Sequence, residues 1–435
     1  MAQTHYPCSK PSGVKWLGDV PEHWEVRRLK YSANLINQRV DGSASDLPYT
    51  GLEHIESWTG KRIAPNGEVS SEGQASLYAR GDVLFGKLRP YLAKAHGADA
   101  GGVCTSELLV LRPRAVRQQF LVYYLLNPDV ISIVDSSTYG AKMPRANWDF
   151  IGNLPVLIPP RDEQRAIAAF LDREAARVDA LIENKQRQIE LLQEKRSALI
   201  SHAVTKGLDP NAPMKDSGID WLGEIPAHWT TCPIKRVSTR IQTGCTPPTA
   251  EERYYEDGTV PWYGPGSFGT DVVLSEPVKL LNETAIREGT ARLFAADSIM
   301  VVCIGATIGK VGCIAGPASS NQQITAITPN PKKASGKFLA YQLKRLEHVL
   351  RGIAPSTTLP IMDQQEVGYL PCALTTLEEQ NLIIEHLDRL LRKADAMTGR
   401  IHESIAMLQE YRTALISAAV TGRIDVREEG SYGQT

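Results

Sequence analysis

Residues 12–24 read SGVKWLGDVPEHW, and residues 217–229 read SGIDWLGEIPAHW. Ser12, Gly13, Trp16, Leu17, Gly18, Pro21, His23 and Trp24 recur 205 positions later, so eight of thirteen residues match. Such a recurrence marks an internal repeat, which decides the architecture before any single element is assigned. A second match lies downstream, where LISHAVT at 199–205 returns as LISAAVT at 415–421, an offset of 216. Without a gap, the same offset pairs Leu154-Pro155 with Leu370-Pro371, Glu163-Gln164 with Glu379-Gln380 and Leu171-Asp172 with Leu387-Asp388. Fainter echoes link GDVLF at 81–85 to ADSIM at 296–300, and FLVYYL at 120–125 to FLAYQL at 338–343. The chain reads as two copies of one unit. Each runs from a Trp-rich opening, through a divergent middle, to a shared ending.

The shared endings carry the strongest helix signal. In the second copy, Ile383, Leu387, Leu390, Ala394, Met397, Ile401, Leu408, Tyr411 and Leu415 fall at alternating four- and three-residue steps, a heptad seam that is polar only at Ser404. The first copy carries Ile167, Leu171, Val178, Leu181, Leu192 and Leu199 in the same phase, interrupted at Glu174, Lys185 and Gln188. Each helix has Glu-Gln in its first turn, which suits the positive end of the helix dipole, and Gly207 and Gly422 read as stop signals. Helices over 161–205 and 377–421 are on the order of 65 Å long at about 1.5 Å per residue. A lone helix of that length cannot bury its apolar stripe. Pairing of the two helices as an intramolecular antiparallel coiled coil is the first expectation, and pairing with a partner's helices the second.

The middles read differently. GDVLFGKLRPYLAKAHGADAGGVCTSELLVLRP (81–113) and the segment 296–329 alternate short Val- and Leu-rich runs with Gly and Pro breaks, the pattern of strands and turns, each followed by a short helix. The expected organisation is a mixed α/β (α+β) domain at 1–157, a helical spacer at 158–210, a second mixed domain at 211–374 and a second helical spacer with the tail at 375–435.

Composition narrows the classes. The 435 residues suggest two to four domains and are 42% hydrophobic, enough for ordinary cores. With 48 Lys and Arg against 49 Asp and Glu, the chain is not a generally basic nucleic-acid-coating protein, although a local basic groove remains compatible with that balance. No apolar run approaches the ~18 residues of a membrane span, and MAQTHYPCSK lacks the pattern of a signal peptide. Seven cysteines without a C-x-x-C pair indicate a reduced, cytoplasmic protein with neither a disulfide framework nor a zinc knuckle.

Catalytic patterns are missing. GATIGKVG (305–312) has three residues between its glycines where a phosphate loop needs four, and Val311 follows Lys310 where Ser or Thr should stand. No G-x-G-x-x-G reads as the strand-to-helix turn of a dinucleotide site, and there is no Asn-Pro-Pro-aromatic tetrapeptide of the kind that holds a flipped base. The residues thus predict a binder or scaffold without catalytic, cofactor or metal sites. Several segments combine cations, aromatics and polar amides as nucleic-acid readers do. The candidates are Lys87, Arg89, Tyr91 and Lys94 in GKLRPYLAKAHG and Tyr139, Lys142 and Arg145 in STYGAKMPRANW. In the second copy they are Thr246, Tyr254, Lys310, Gln322, Gln323 and Thr358. These features leave open a two-headed protein–protein scaffold.

Taken together, the two WLGxxPxHW openings, GDVLFGKLRPYL (81–92), the helix starts PPRDEQRAIAAFLD (159–172) and TTLEEQNLIIEHLD (375–388), and the ALISxAVT helix ends resemble the DNA-specificity subunits of type I restriction–modification systems. The resemblance covers nearly the whole chain. It implies that each middle is a target-recognition domain reading one half of a split double-stranded DNA site, and that the long helices fix the gap between halves and dock two modification subunits. It also implies that adenine methylation with S-adenosylmethionine, and restriction with ATP and Mg²⁺, belong to the partner modification and restriction subunits, and that this chain is not an enzyme.

Overall fold

The computed structural model describes residues 5–42, 47–63, 73–140, 142–347 and 361–427. It separates into two compact units, Met1–Gln186 with His402–Thr435, and Arg187–Ile401. The division runs through two long helices, Arg161–Lys206 and Leu377–Val420, so each unit owns half of each.

In the first unit, one four-stranded sheet has the order Ala33–Ile36, Leu108–Pro113, Val83–Gly86, Ala95–Gly97. Val83–Gly86 is buried at every position, which is why its residues form an unbroken apolar run rather than an alternating one. A second sheet has the order Arg39–Asp41, Gln74–Tyr78, Gly102–Cys104, Tyr49–Thr50. Helix Gln118–Leu125 buries Phe120, Leu121, Tyr124 and Leu125 in the same core as Ile167 and Leu171 of the first long helix and Leu415, Ile416 and Ala419 of the second.

The second unit repeats this plan. Its five-stranded sheet has the order Ser238–Thr243, Ile324–Pro329, Ile299–Val302, Val311–Ile314, Val273–Leu274. The offset of 216 maps Val83–Gly86 onto Ile299–Val302 and Leu108–Pro113 onto Ile324–Pro329, residue for residue. It also maps Pro155–Ile158, which pairs with Glu25–Arg28, onto Pro371–Leu374, which pairs with Thr230–Pro233. The fold therefore repeats through the middles, where the sequence shows only echoes.

The repeated opening motif has the same task in each unit. Trp24 is fully buried and donates its indole N–H to Glu163 Oε1 at 3.0 Å, while His23 Nε2 lies 2.8 Å from Glu163 Oε2. In the second unit Trp229 donates to Glu379 Oε1 at 3.1 Å, and His228 Nε2 lies 2.9 Å from Oε2. Both carboxylates sit in the first turn of a long helix. The neighbouring glutamines extend the clasp. Gln164 accepts from the Arg117 N–H at 2.6 Å and donates to the Pro159 carbonyl at 2.8 Å; Gln380 accepts from the Ser335 N–H at 2.9 Å and donates to the Thr375 carbonyl at 2.8 Å. Two turns further on, Asp172 accepts from the Tyr123 hydroxyl at 2.6 Å and Asp388 from that of Tyr341 at 3.1 Å.

The same tryptophans cover the helix ends. Gly422 closes the second long helix at φ +72° against Pro21 and Trp24, and Gly207 closes the first at φ +74° against Pro226 and Trp229. Both adopt the left-handed terminal conformation that a glycine stop signal supplies. In each unit, one opening motif thus binds the start of one long helix and the end of the other, which fixes the two helices antiparallel.

The heptad reading holds at Ile383, Leu387, Ala394, Ile401, Leu408 and Leu415, and at Ile167, Leu171, Val178, Leu192 and Leu199, which are buried or half-buried, but its alternate positions move by one residue. Leu391, Thr398, Ile405 and Arg412 turn inward, while Met397 and Tyr411 are about half exposed. The first helix follows suit, with Ile182 and Ile189 half-buried and Leu181 and Gln188 exposed. This phase puts Ile405 and Ile189 where the heptad reading placed Ser404 and Gln188. The seam also carries two ion pairs. Buried Arg412 donates to Asp179 at 2.7 Å in the first unit, and Arg196 donates to Asp395 in the second. The offset of 216 converts Asp179 into Asp395 and Arg196 into Arg412, so these ion pairs are counterparts.

Two outcomes follow in urea unfolding. An alanine Cβ at 422 would lie 2.4 Å from Pro21 Cδ, whereas at 207 its nearest neighbour is 3.4 Å away. Gly207→Ala should lose about 1–2 kcal/mol from the left-handed backbone alone, and Gly422→Ala about 1–3 kcal/mol more from the clash; equal losses would refute this packing. The second outcome concerns pH. Burial opposes ionisation of Glu379, but hydrogen bonds from Thr375, His228 and Trp229 outweigh it and hold the carboxyl below its ordinary range. The unfolded chain takes up this proton first as pH falls. The clasp's contribution is therefore complete above the unfolded value of about 4.3 and is lost as pH drops through the lower folded value. Glu379→Gln should shrink the difference in urea midpoint between pH 7 and pH 4.

Candidate nucleic-acid interface

In the first unit, the loop after strand Val83–Gly86 carries Lys87, Leu88 and Arg89. Backbone bonds alone join it to two other segments. The Lys87 N–H donates to the Glu107 carbonyl at 3.0 Å, the Ala146 N–H to the Lys87 carbonyl at 2.9 Å, and the Arg89 N–H to the Pro144 carbonyl at 2.8 Å. Leu88 and Tyr139 each form a β-bridge with Arg145. Arg89 lies at φ +50°, in the left-handed region that non-glycine residues seldom adopt. That turn leads into Pro90–Leu92, whose short turn rests on helix Pro128–Ser136.

This frame gathers five of the seven expected residues of the first unit: Lys87, Arg89, Tyr91, Tyr139 and Arg145. Arg89 is exposed, Lys87 half-buried, and Tyr91 and Tyr139 are 47% and 60% exposed. Among the described residues, neither the Lys87 ammonium nor the Arg89 guanidinium has a protein acceptor. Arg145 differs, since its guanidinium grips Glu107 through two N–H groups at 3.0 and 3.1 Å, which raises its pKa through that hydrogen bond and the adjacent charge. Lys142 is exposed on the same segment. Lys94 does not join them. Its ammonium donates to the Leu52 and Ile55 carbonyls at 2.6 and 2.9 Å and fastens that loop, with burial lowering its pKa.

The second unit builds the same frame at positions 216 residues on. The Cys303 N–H donates to the Gln323 carbonyl at 2.8 Å, the Met362 N–H donates to the Cys303 carbonyl at 2.9 Å, and Ile304 bridges Ile361. Lys87, Arg89, Glu107 and Arg145 thus become Cys303, Gly305, Gln323 and Ile361. The frame is constant and its side chains are not. Around it, Gln323 accepts from the Asn321 amide at 2.9 Å, the exposed Thr246 hydroxyl donates to Gln322, and Gln364 donates to the Thr243 hydroxyl at 2.9 Å. Lys310 is half-buried and donates to the Phe268 carbonyl at 3.2 Å.

Tyr254 corrects the sequence expectation. It is 3% exposed, in a cluster with Trp262, Leu281 and Ala285, and its hydroxyl donates to Glu288 at 2.9 Å, so its ring has no free face on which a base could stack. Thr358 lies outside the described residues. Glu107 was missed as a partner of Arg145, and Gln364 as a neighbour of Thr243. The repeat offset held a signal for the first, because it sets Glu107 opposite the suspected Gln323.

Comparison with known proteins agrees with this geometry. The family model described as the type I restriction modification DNA specificity domain matches twice, over residues 21–191 and 226–406. A putative type I restriction enzyme MjaX specificity subunit from Methanocaldococcus jannaschii is 22% identical, over 94% of this chain and 96% of its own. The MjaVIII specificity subunit of the same organism is 23% identical, over 94% of each chain. Among solved structures, a chain described under complex assembly and conformational transition of the type I R-M system aligns with a TM-score of 0.73 at 20% identity, covering 92% of this chain and 98% of its own. The HsdS subunit from Thermoanaerobacter tengcongensis aligns with a TM-score of 0.52 at 20% identity, covering 93% and 98%. Twin units, each with the same backbone frame and the same helix clasp, and a family match in both halves lead to one conclusion: the chain belongs to the type I restriction modification DNA specificity family.

Proposed function

We propose that this protein directs a type I restriction–modification complex to a two-part sequence in double-stranded DNA, each unit reading one half. The observation that carries this reading is the backbone frame common to both units. Its hydrogen bonds involve main-chain groups and so make no demand on side-chain identity, which leaves 87, 89, 107 and 145, and their counterparts 303, 305, 323 and 361, free to differ. A cationic set in one unit and a mostly neutral set in the other suit two different base patterns. In the first unit, the unpaired charges of Lys87 and Arg89 suit phosphate oxygens or a guanine edge, and exposed Tyr91 and Tyr139 add apolar contact area. In the second, Gln322 and Gln323 suit adenine.

The chain does no chemistry in this reading. Two modification subunits hold S-adenosylmethionine and methylate adenine, restriction subunits use ATP and Mg²⁺, and the assembly works in the cytoplasm, where the DNA is. The long helices, which pass through both units, set the gap between the two half-sites. No helix among the described residues is long and apolar enough to cross a membrane.

Both parts can be tested. For the complex with its modification subunits, Lys87→Ala and Arg89→Ala should each weaken binding of the cognate duplex about tenfold or more. If the contact is to phosphate, the salt dependence should fall by about one ion, while Tyr254→Phe should leave binding unchanged. Fluorescence anisotropy across a salt series reads all three. Unaltered affinity and slope in both charge variants would remove this loop from the interface, and failure of any duplex to compete with random DNA would favour a protein–protein scaffold. For the helices, seven residues inserted after Arg187 and after its counterpart Glu403 keep the seam in phase and add roughly 10 Å to each. Methylome sequencing should then show the same half-sites with a gap longer by about three base pairs, whereas an unchanged gap contradicts the spacer role.

A further inference from the structure

The second unit holds a feature that its family membership does not account for. Cys232 and Cys372 face each other across the two-stranded sheet formed by Thr230–Pro233 and Pro371–Leu374. Their Sγ atoms are 4.0 Å apart, within reach of a thiol–thiol hydrogen bond, and the Cys372 sulfur lies 3.3 Å from the Cys232 carbonyl oxygen. Two residues along the ladder, the Ile234 N–H donates to the Leu370 carbonyl at 2.9 Å. The alternation of an antiparallel ladder then makes Cys232 and Cys372 a hydrogen-bonded pair, whose Cα atoms stand ~5.5 Å apart. That spacing lies within the ~4.4–6.8 Å that a disulfide spans, so the sulfurs can meet by side-chain rotation alone. In the first unit the corresponding pair is Arg27 and Val156, so the dithiol is confined to one copy of the repeat.

We propose that Cys232 and Cys372 form a reversible redox site, closed to a disulfide by hydrogen peroxide and reopened by a cellular dithiol. The inference is independent of the DNA-binding role. Cys232 is half-buried and Cys372 buried, which sets the order of events. The hydrogen bond from Cys372 draws the Cys232 thiol down to about 7 against the opposing effect of burial, with Arg236 and Lys333 adding to the lowering. The same hydrogen bond and burial hold Cys372 protonated. Cys232 is therefore the thiolate that reacts first. It attacks one peroxide oxygen, the O–O bond breaks, and a sulfenic acid and one water form. Cys372 then attacks that sulfur, the S–S bond forms, the S–O bond breaks, and hydroxide leaves with the Cys372 proton as a second water. Two thiols are oxidised and one peroxide is reduced to two waters. A dithiol reductant reverses the bond by thiol–disulfide exchange.

The position gives the bond a consequence. The cysteines are 140 residues apart and flank the second divergent middle. Closing them ties the strand that follows the second opening motif to the strand that leads into helix Leu377–Val420.

The test uses the full chain at neutral pH, treated with a few equivalents of hydrogen peroxide, quenched by alkylation and digested without reductant. The expected product is one peptide pair joined through Cys232 and Cys372, two hydrogens lighter than the separate peptides and released by dithiothreitol. Limited proteolysis between 233 and 371 should leave the two fragments joined on a non-reducing gel. Cys232→Ser should abolish both signals, and Cys372→Ser should stop the reaction at a sulfenic acid on Cys232 that dimedone traps. Because the peptide map is read on the unmodified sequence, the outcome does not depend on how the variants fold. Oxidation that spreads to exposed Cys8 while Cys232 and Cys372 remain separately alkylated would overturn the proposal, as would a cross-link to any other cysteine.

Discussion

A carboxylate at the start of each long helix, buried at Glu163 and half-buried at Glu379, is the constraint on which the rest depends. Glu163 and Glu379 each take a tryptophan N–H and a histidine nitrogen from an opening motif that lies far away in the chain. A charge withdrawn from water is tolerated only when its oxygens find donors, so each motif and its glutamate must be kept together. The same indole covers the glycine that ends the other long helix. One set of contacts therefore anchors two helix termini and the adjoining domain, and the sequence could not relax there in either copy. This explains why the opening, the Glu-Gln pair and the Leu-Asp pair are the places where the two halves of the chain still agree.

Away from the clasp, the divergent loops rest on main-chain hydrogen bonds. The bonds that hold Lys87 to Glu107 and Ala146 are repeated by Cys303, Gln323 and Met362 with lengths differing by about 0.2 Å or less. Such a frame is indifferent to side chains, because each peptide group brings the same donor and acceptor. It can display a cationic set in one unit and amides in the other without altering the fold. The cost of change falls on single side chains, as with Arg145, whose guanidinium needs Glu107 to hold it.

The long helices combine apolar seams with two ion pairs. Apolar residues along a seam attract without direction, so they favour many offsets almost equally. A guanidinium on a carboxylate tolerates few. Asp179 with Arg412 in the first unit, and Arg196 with Asp395 in the second, each select one register within their own unit.

The sequence by itself determined the repeat, the two helices with their start and stop residues, the mixed α/β middles and the first-unit loop that carries Lys87 and Arg89. These are local or periodic properties, written in spacing, in glycine conformations and in identity between copies. Only the tertiary structure decided the alternate positions of the seam, since neighbouring residues such as Leu181 and Ile182 differ by ~100° around the helix and either satisfies an apolar pattern. It also decided which polar side chains are free. Tyr254 and Lys94 carry the right chemistry for a binding surface, yet a distant carboxylate and two distant carbonyls engage them instead, and no spacing in the chain announces such partners.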